Sequence, residues 1–115
     1  MARPDLSGMV SDLRFRILLL LTLIFALVIP MNAHGATTTV TIKDSQFIPR
    51  DVSIRPGDTV TWVNKDPVQH NVDLSSDKSP LLSQGQAYSH AFGQPGVYDY
   101  NCDVHPFMKG RVTVG

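Results

Sequence analysis

Apolar and polar residues alternate in short segments along the chain after residue 36, as they do in β-strands that bury one face. Residues 38–43 alternate and contain many β-branched side chains. Residues 59–64 alternate most regularly, with Val60 and Trp62 on the same face. Because β-branched and aromatic side chains suit a pleated, half-buried surface, both segments are predicted to be strands.

The same pattern recurs towards the C-terminus. Further strands are predicted at residues 52–54, 70–72, 87–92, 97–102 and 110–114. Period two places Tyr100 and Cys102 on one face of their strand. Residues 74–86 are typical of a loop, in which Leu81 and Leu82 are expected to pack back onto the core. About seven short strands without a helical pattern predict an all-β fold, a β-sandwich.

The first 35 residues have the pattern of an export signal. Arginines precede an apolar run at residues 17–29 that only Thr22 interrupts, and small residues stand just before Ala36. The run has 13 residues, fewer than the roughly 20 that a membrane-spanning helix needs. The sequence therefore predicts a cleaved signal peptide at residues 1–35 and a periplasmic domain at residues 36–115. An uncleaved N-terminal anchor is the alternative.

The predicted domain is small, and its only cysteine is Cys102. A domain of about 80 residues has little core to spare, and one cysteine cannot form the internal disulfide that many small exported domains use. A bound metal would both stabilise the domain and occupy the thiol. The domain carries seven Lys or Arg residues and eight Asp residues. This near balance indicates no basic surface for nucleic acid.

Three candidate metal ligands lie within seven residues near the C-terminus. Cys102, His105 and Met108 follow at intervals that a tight loop can fold around one point, and His70 lies 32 positions upstream of Cys102. One thiolate, two imidazoles and one thioether form the ligand set of a mononuclear electron-transfer copper site. We predict that the tertiary structure brings His70 to the loop and that the four side chains hold one copper ion.

Other interpretations of these ligands are weaker. Cys102 alone would be an ordinary buried cysteine on an inward-facing strand position. Zinc accepts cysteine and histidine, but methionine is not one of its usual ligands. No C-x-x-C-H run is present, which excludes covalent haem. A hydrolase built on Cys102 and His105 would lack an orienting third group.

Residues beside the ligands are expected to tune the site. The Asn71 amide can reach across to Asp103 and join the two ligand segments. A carboxylate so close to copper would favour Cu(II) and lower the reduction potential. The alternative is that Asp103 points to solvent.

His105 is expected to be the exposed ligand. Pro67 and Val68 beside one ligand segment, and Pro106 and Phe107 beside the other, would surround it with an apolar collar. Such a patch suits brief docking of a redox partner. Phe107 could alternatively pack into the end of the domain.

Two further histidines have no predicted role at the metal. His90 shares one side of its strand with Tyr88 and Phe92 and has no ligand-like spacing to the others, which indicates a structural histidine. His34 is predicted to leave with the signal peptide.

Taken together, these motifs resemble the cupredoxin family of blue copper proteins, which includes plastocyanin and pseudoazurin, and within it the amicyanin group most. The C-x2-H-x2-M loop and the run HPFMKG at residues 105–110 carry the resemblance to amicyanin, because plastocyanin has more residues between histidine and methionine. The runs GDTVTWVN at residues 57–64 and HNV at residues 70–72 match the wider family.

The resemblance implies an eight-stranded Greek-key sandwich with copper at one end. It assigns the family's four ligand roles to His70, Cys102, His105 and Met108. It also implies an amine dehydrogenase as electron donor, a c-type cytochrome as acceptor, and a monomer. Two residues of the ligand loop depart from the pattern of the family. Asp103 replaces the usual hydroxyl residue after the cysteine, and Val104 stands where amicyanin has a proline.

The function that these features favour is a soluble periplasmic one-electron carrier, and not an enzyme. A copper-buffering or copper-delivery module is the alternative. Such proteins use exposed sites rich in methionine and histidine, whereas Met108 is the only methionine after residue 36. A multicopper oxidase or nitrite reductase would need a second copper site, which His90 alone cannot supply.

Overall fold

The structure is a computed structural model that describes residues 35–115. Residues 1–34 of the predicted signal peptide, with its apolar run at residues 17–29 and His34, lie outside the described residues. Within residues 35–115, no helix is long and apolar enough to cross a membrane.

The described residues form seven strands in two sheets. The strands are β1 (Thr37–Lys43), β2 (Gln46–Ile48), β3 (Asp51–Ile54), β4 (Thr59–Asn64), β5 (Ala87–Ala91), β6 (Gly96–Asn101) and β7 (Lys109–Val114). One sheet has the order β2-β1-β4-β5 and the other β3-β7-β6. β1 runs parallel to β4, and β3 runs parallel to β7, whereas the remaining neighbours are antiparallel. The predicted all-β sandwich is confirmed.

Period-two alternation builds the core between the sheets. In β4, Val60 and Trp62 are fully buried while their neighbours are partly exposed. The second sheet contributes inward-facing residues such as Tyr100 and Val112 to the same cluster. The Trp62 and Tyr100 rings meet edge to face across the sandwich, with centroids 5.3 Å apart. Because aromatic side chains bury large areas, this pair holds the two sheets together near the end of β6 that leads to Cys102.

The hairpin formed by β6 and β7 positions the predicted ligand loop. Asn101 pairs with Lys109 at the last rung of the ladder, so residues 102–108 form the connection. Gly110 lies directly under the Tyr100 ring, and a Cβ at this position would overlap that ring. Glycine at position 110 therefore allows the start of β7 to pack closely against Tyr100.

The structure corrects two expectations about individual strands. Residues 70–72 do not form a strand, because His70 pairs with Leu82 whereas Asp73 pairs with Lys78 and Asn101, so no continuous ladder develops. The segment Gln46–Ile48 forms β2 although the hydrophobic pattern did not predict it. These two changes cancel, so the described residues form seven strands, within the seven to eight expected.

The long loop at residues 74–86 is present, but only one of its two leucines packs inward. Leu82 is 3% exposed whereas Leu81 is 48% exposed. The backbone of Leu82 makes two hydrogen bonds with that of His70, and these fix which side chain faces the core. Leu81, the neighbour, consequently faces solvent.

Candidate metal centre

Three of the four predicted ligands meet at one end of the sandwich. The side-chain ligand atoms of His70, Cys102 and His105 all lie within 4.8 Å of one another. The His70 Nδ1 atom is 3.9 Å from the Cys102 Sγ atom, and the two imidazole ring centroids are 4.8 Å apart. His70 and Cys102 are fully buried, while His105 is half-buried.

The connection between β6 and β7 is closed by its own backbone. The amide of Cys102 donates to the carbonyl of Met108 at 3.2 Å, and the amide of Met108 donates to the carbonyl of His105 at 2.9 Å. The Met108 side chain is 2% exposed. These bonds close the loop that carries the three residues, as their spacing predicts, and the Met108 side chain lies inside the domain.

Two kinds of contact bring the distant histidine to this loop. His70 donates its backbone amide to Leu82 at 3.2 Å and accepts from the Leu82 amide at 2.7 Å. The next residue, Asn71, points its backbone amide at the Cys102 Sγ atom, 3.4 Å away. An N–H group aimed at this sulfur stabilises a thiolate there, because it interacts favourably with the negative charge.

Asp66 is a contact of His70 that the sequence analysis missed. Its carboxylate is almost fully buried and lies 2.8 Å from the His70 Nε2 atom. It also accepts the backbone amides of Asp44 and Ser45, at 2.7 and 2.8 Å. Those two residues adopt φ angles of 52° and 54° in the turn between β1 and β2, and so their successive N–H groups form an anion-binding nest.

The charge state of Asp66 determines the tautomer of His70. Burial raises the pKa of Asp66, but the hydrogen bonds from Ser45, Asp44 and His70 outweigh it and hold the pKa below its usual value. An ionised carboxylate only accepts hydrogen bonds, so the His70 proton resides on Nε2. The Nδ1 lone pair is then free on the side that faces Cys102. The only sequence signal for this contact was an aspartate in a turn four residues before the histidine.

A buried amide completes this polar network. Asn64, fully buried at the end of β4, donates to the carbonyls of Val68 and Leu82 at 2.9 and 2.7 Å. Its own side-chain oxygen accepts the backbone amide of Asp66 at 2.9 Å. The side chain of Asn64 thus binds Asp66 and Val68, which precede His70, and Leu82, which pairs with His70, so this residue sets the path of the chain from β4 to the histidine.

The Asn71 side chain lies against Asp103. Its amide nitrogen donates to the Asp103 carboxylate at 2.9 Å, and its oxygen accepts the Asp103 backbone amide at 2.7 Å. The hydrogen bond from Asn71, together with the ion pair with Lys78, holds the pKa of Asp103 below its usual value. The carboxylate therefore faces Asn71 and stays ionised beside Cys102.

The chemistry of the cluster fits a soft metal ion. The His105 Nδ1 atom is buried and has no hydrogen-bond partner among the described residues, which is costly for a polar atom unless a ligand occupies it. The cluster also contains the Cys102 thiol, and the buried Met108 side chain on the same loop carries a thioether. Thiolate and thioether ligands select copper, and two imidazoles complete the set for a blue-copper centre.

Apolar side chains are exposed on both ligand segments. Val68 is 50% exposed and Phe107 is 70% exposed, and Pro67 and Pro106 are exposed beside them. The Phe107 ring packs edge to face against the His105 ring at 5.8 Å and does not enter the core. Val104, in the same loop, is a further exposed apolar residue at 50%.

His90 lies apart from this cluster. Its Nδ1 atom is 3.1 Å from the Asp77 carboxylate, and its ring contacts the Phe92 ring edge to face at 4.6 Å. These contacts join β5 to the long loop, which is the structural role expected of His90.

The comparisons with known proteins agree with this geometry. The family model for copper-binding proteins of the plastocyanin/azurin family matches residues 33–115. Amicyanin-alpha of Methylorubrum extorquens is 40% identical over 90 residues, which cover 72% of this chain and 76% of that protein. Plastocyanin of Scenedesmus fuscus is 36% identical over 83 residues, covering 59% of this chain and 85% of that protein.

A solved structure of an oxidised amicyanin variant superposes with a TM-score of 0.67 at 37% identity, covering 74% of this chain and 87% of that one. Amicyanins and plastocyanins are electron carriers rather than enzymes, and one type 1 copper ion is the cofactor that the family and the His-Cys-His cluster support. The chain therefore belongs to the plastocyanin/azurin family of copper-binding proteins, and it is a cupredoxin electron carrier.

Proposed function

We propose that His70, Cys102, His105 and Met108 bind the copper ion and that the protein carries single electrons between two redox proteins. The observation that carries this assignment is that His105 offers a ring nitrogen within 4.8 Å of the ligand atoms of His70 and Cys102, while its buried Nδ1 atom has no hydrogen-bond partner among the described residues. Copper, when bound, supplies the Cu(II)/Cu(I) couple.

Each residue has a distinct part in this function. Cys102 supplies an anionic, soft sulfur that suits Cu(I) and donates strongly to Cu(II), and Met108 supplies a weak thioether that tunes the potential. Asp66 keeps the proton of His70 on Nε2. Because hydrogen bonds from Asp66, Asn71 and Leu82 hold the segment around His70 in place, little rearrangement needs to accompany electron transfer.

The test is to add copper to the purified metal-free protein. We expect one equivalent to bind, an intense visible absorption band to develop, and voltammetry to give a reversible one-electron wave. A colourless complex, or one that cannot be reoxidised, would refute the assignment of the four ligands.

Copper buffering or delivery is the competing function, and ligand burial argues against it. His70 and Cys102 are fully buried and Met108 is 2% exposed, so a chelator has little access to three of the four ligands. We expect slow copper release to an excess chelator. Release within seconds would favour delivery.

We propose that the exposed apolar residues Pro67, Val68, Pro106 and Phe107 form the docking patch for redox partners. His105 is the one half-buried ligand, and its ring touches Phe107, so an electron would enter and leave at this edge. By similarity to amicyanins, the proposed donor is an amine dehydrogenase and the proposed acceptor a c-type cytochrome. The proposed location is the periplasm, reached by cleavage of the signal peptide at residues 1–35.

Truncation of the patch should slow electron transfer without altering the metal centre. We expect Phe107→Ala to lower the second-order rate constant with a c-type cytochrome about tenfold, as loss of a well-packed interface aromatic costs 1 to 2 kcal/mol. Stopped-flow mixing measures this rate. Val97→Ala is the matched control, because Val97 is 60% exposed at the start of β6, at the other end of that strand from Cys102. An equal loss in both variants would exclude a local patch.

Removal of the Asp103 charge should raise the reduction potential. Asp103→Asn keeps the shape of the side chain but removes a negative charge next to Cys102, so Cu(II) loses a stabilising interaction. Voltammetry of the copper-loaded variant measures the shift. An unchanged or lower potential would show that this carboxylate does not act on the copper.

A further inference from the structure

Three charged side chains meet beside the ligand loop. The Lys78 ammonium lies 3.2 Å from the Asp103 carboxylate and 3.3 Å from the Asp73 carboxylate. The oxygen of Asp103 that faces Lys78 is also the one that accepts the Asn71 amide. A single cation thus joins the long loop at residues 74–86 to the residue that follows the copper-binding cysteine.

The backbone holds these groups together. Asp73 donates its amide to the carbonyl of Asn101 at 2.8 Å and accepts the Asn101 amide at 3.3 Å. Asp73 also pairs with Lys78 across an isolated bridge. Since Asn101 is the last residue of β6 and immediately precedes Cys102, the positions of both carboxylates are set by the fold rather than by the lysine alone.

Lys78 supplies the positive charge that offsets the negative charges of Asp73 and Asp103. Within residues 35–115, it is the one cationic side chain in an ion pair with either Asp73 or Asp103. Asp73 is largely buried, with a side chain 15% exposed, so its charge is poorly screened by water. Without Lys78, two carboxylates would repel each other beside the thiolate, with only the Asn71 amide still bonded to Asp103.

We propose that Lys78 is a positioning residue for the copper centre: it holds the Asp103 carboxylate against Asn71 and offsets its charge. This arrangement compensates for an acidic residue directly after the cysteine, and it keeps the reduction potential higher than Asp103 would otherwise allow. The proposal rests on the four-ligand assignment made under the proposed function.

The first test is the potential of Lys78→Gln. Loss of the cation leaves the Asp103 charge uncompensated and stabilises Cu(II), so we expect a lower potential. The expected shift corresponds to an increase of about twofold to fivefold in the Cu(II)/Cu(I) ratio at a fixed applied potential, the range for an exposed ion pair. Added salt should reduce the difference, because ions screen exposed charges.

Two matched variants distinguish a local effect of Lys78 on the copper site from an effect of the net charge of the protein. Arg55→Gln also removes one positive charge, but it lies in the turn before β4, at the end of that strand opposite Asn64. It should leave the potential nearly unchanged. In the Asp103→Asn background, Lys78→Gln should have much less effect than in the wild type, because the charge through which it acts is gone.

A second test does not need copper. The Asp103 amide donates to the Asn71 side chain, so a loosened contact should speed its hydrogen exchange in the metal-free protein. We expect several-fold faster exchange at this amide in Lys78→Gln and unchanged exchange at the Met108 amide, which bonds to His105 within the loop.

The inference is overturned if Lys78→Gln shifts the potential no more than Arg55→Gln, if the shift persists undiminished with Asp103→Asn, or if exchange at the Asp103 amide is unchanged. Failure of the wild-type protein to bind copper would instead refute the proposed function. In that case the exchange measurement would still decide whether Lys78 positions Asp103.

Discussion

Cys102→Ser is expected to abolish both the intense visible absorption of the copper-loaded protein and its reversible one-electron wave. The band arises from the copper–thiolate bond of a blue-copper centre, and a serine hydroxyl cannot replace a soft anionic sulfur. The thiol is fully buried and accepts the Asn71 amide, and serine is nearly isosteric with it. The fold should therefore persist while the chemistry is lost.

Absorption spectroscopy and voltammetry after copper addition measure this effect, and circular dichroism of the metal-free protein checks the fold. His90→Gln is the matched control, because it removes a histidine outside the ligand cluster and should leave the spectrum unchanged. Retention of the intense band in Cys102→Ser would disprove the assignment of Cys102 as a ligand.

Asp66→Ala is expected to cause the largest loss of stability in the metal-free protein. It removes the acceptor of three hydrogen bonds, from Asp44, Ser45 and His70, in a nearly buried position. Each buried donor left without a partner costs about 1 to 3 kcal/mol, so we expect the free energy of unfolding to fall by about 3 kcal/mol or more. Chemical denaturation measures this change.

The control for this prediction is Asp58→Ala. Asp58 also accepts two backbone amides, those of Ala36 and Arg55, but at exposed sites where water replaces the lost bonds. We expect a loss of about 1 kcal/mol or less. If Asp66→Ala does not fold, Asp66→Asn keeps one acceptor oxygen and should give an intermediate loss. Equal effects at positions 58 and 66 would contradict the structural role assigned to Asp66.

Local patterns were sufficient to predict most strands and the closed loop that carries Cys102, His105 and Met108. Period two correctly placed Val60 and Trp62 in the core. The spacing of Cys102, His105 and Met108 predicted a closed loop, because all its closing bonds lie within seven residues. Such features are readable from the sequence since they depend on neighbours along the chain.

Short or irregular segments were less predictable. β2 has three residues, too few for alternation to be distinctive. Residues 70–72 each have a different partner: the His70 backbone pairs with Leu82, the Asn71 amide points at the Cys102 Sγ atom, and the Val72 carbonyl accepts the Ser79 amide. The amide of Val72, for example, donates to the Ser79 hydroxyl rather than to a neighbouring strand. Strand propensity cannot predict such pairing, because it depends on which segments come together.

The amino-acid sequence by itself determined the all-β class, the inward faces of the strands and the chemical types of the four candidate ligands. Only the tertiary structure decided that Asp66 orients His70, that Asn71 meets Asp103, and that Lys78 stands beside that carboxylate. The reason is physical: these contacts join residues from separate strands and loops, and electrostatic effects depend on distances and burial that exist only after the chain has folded.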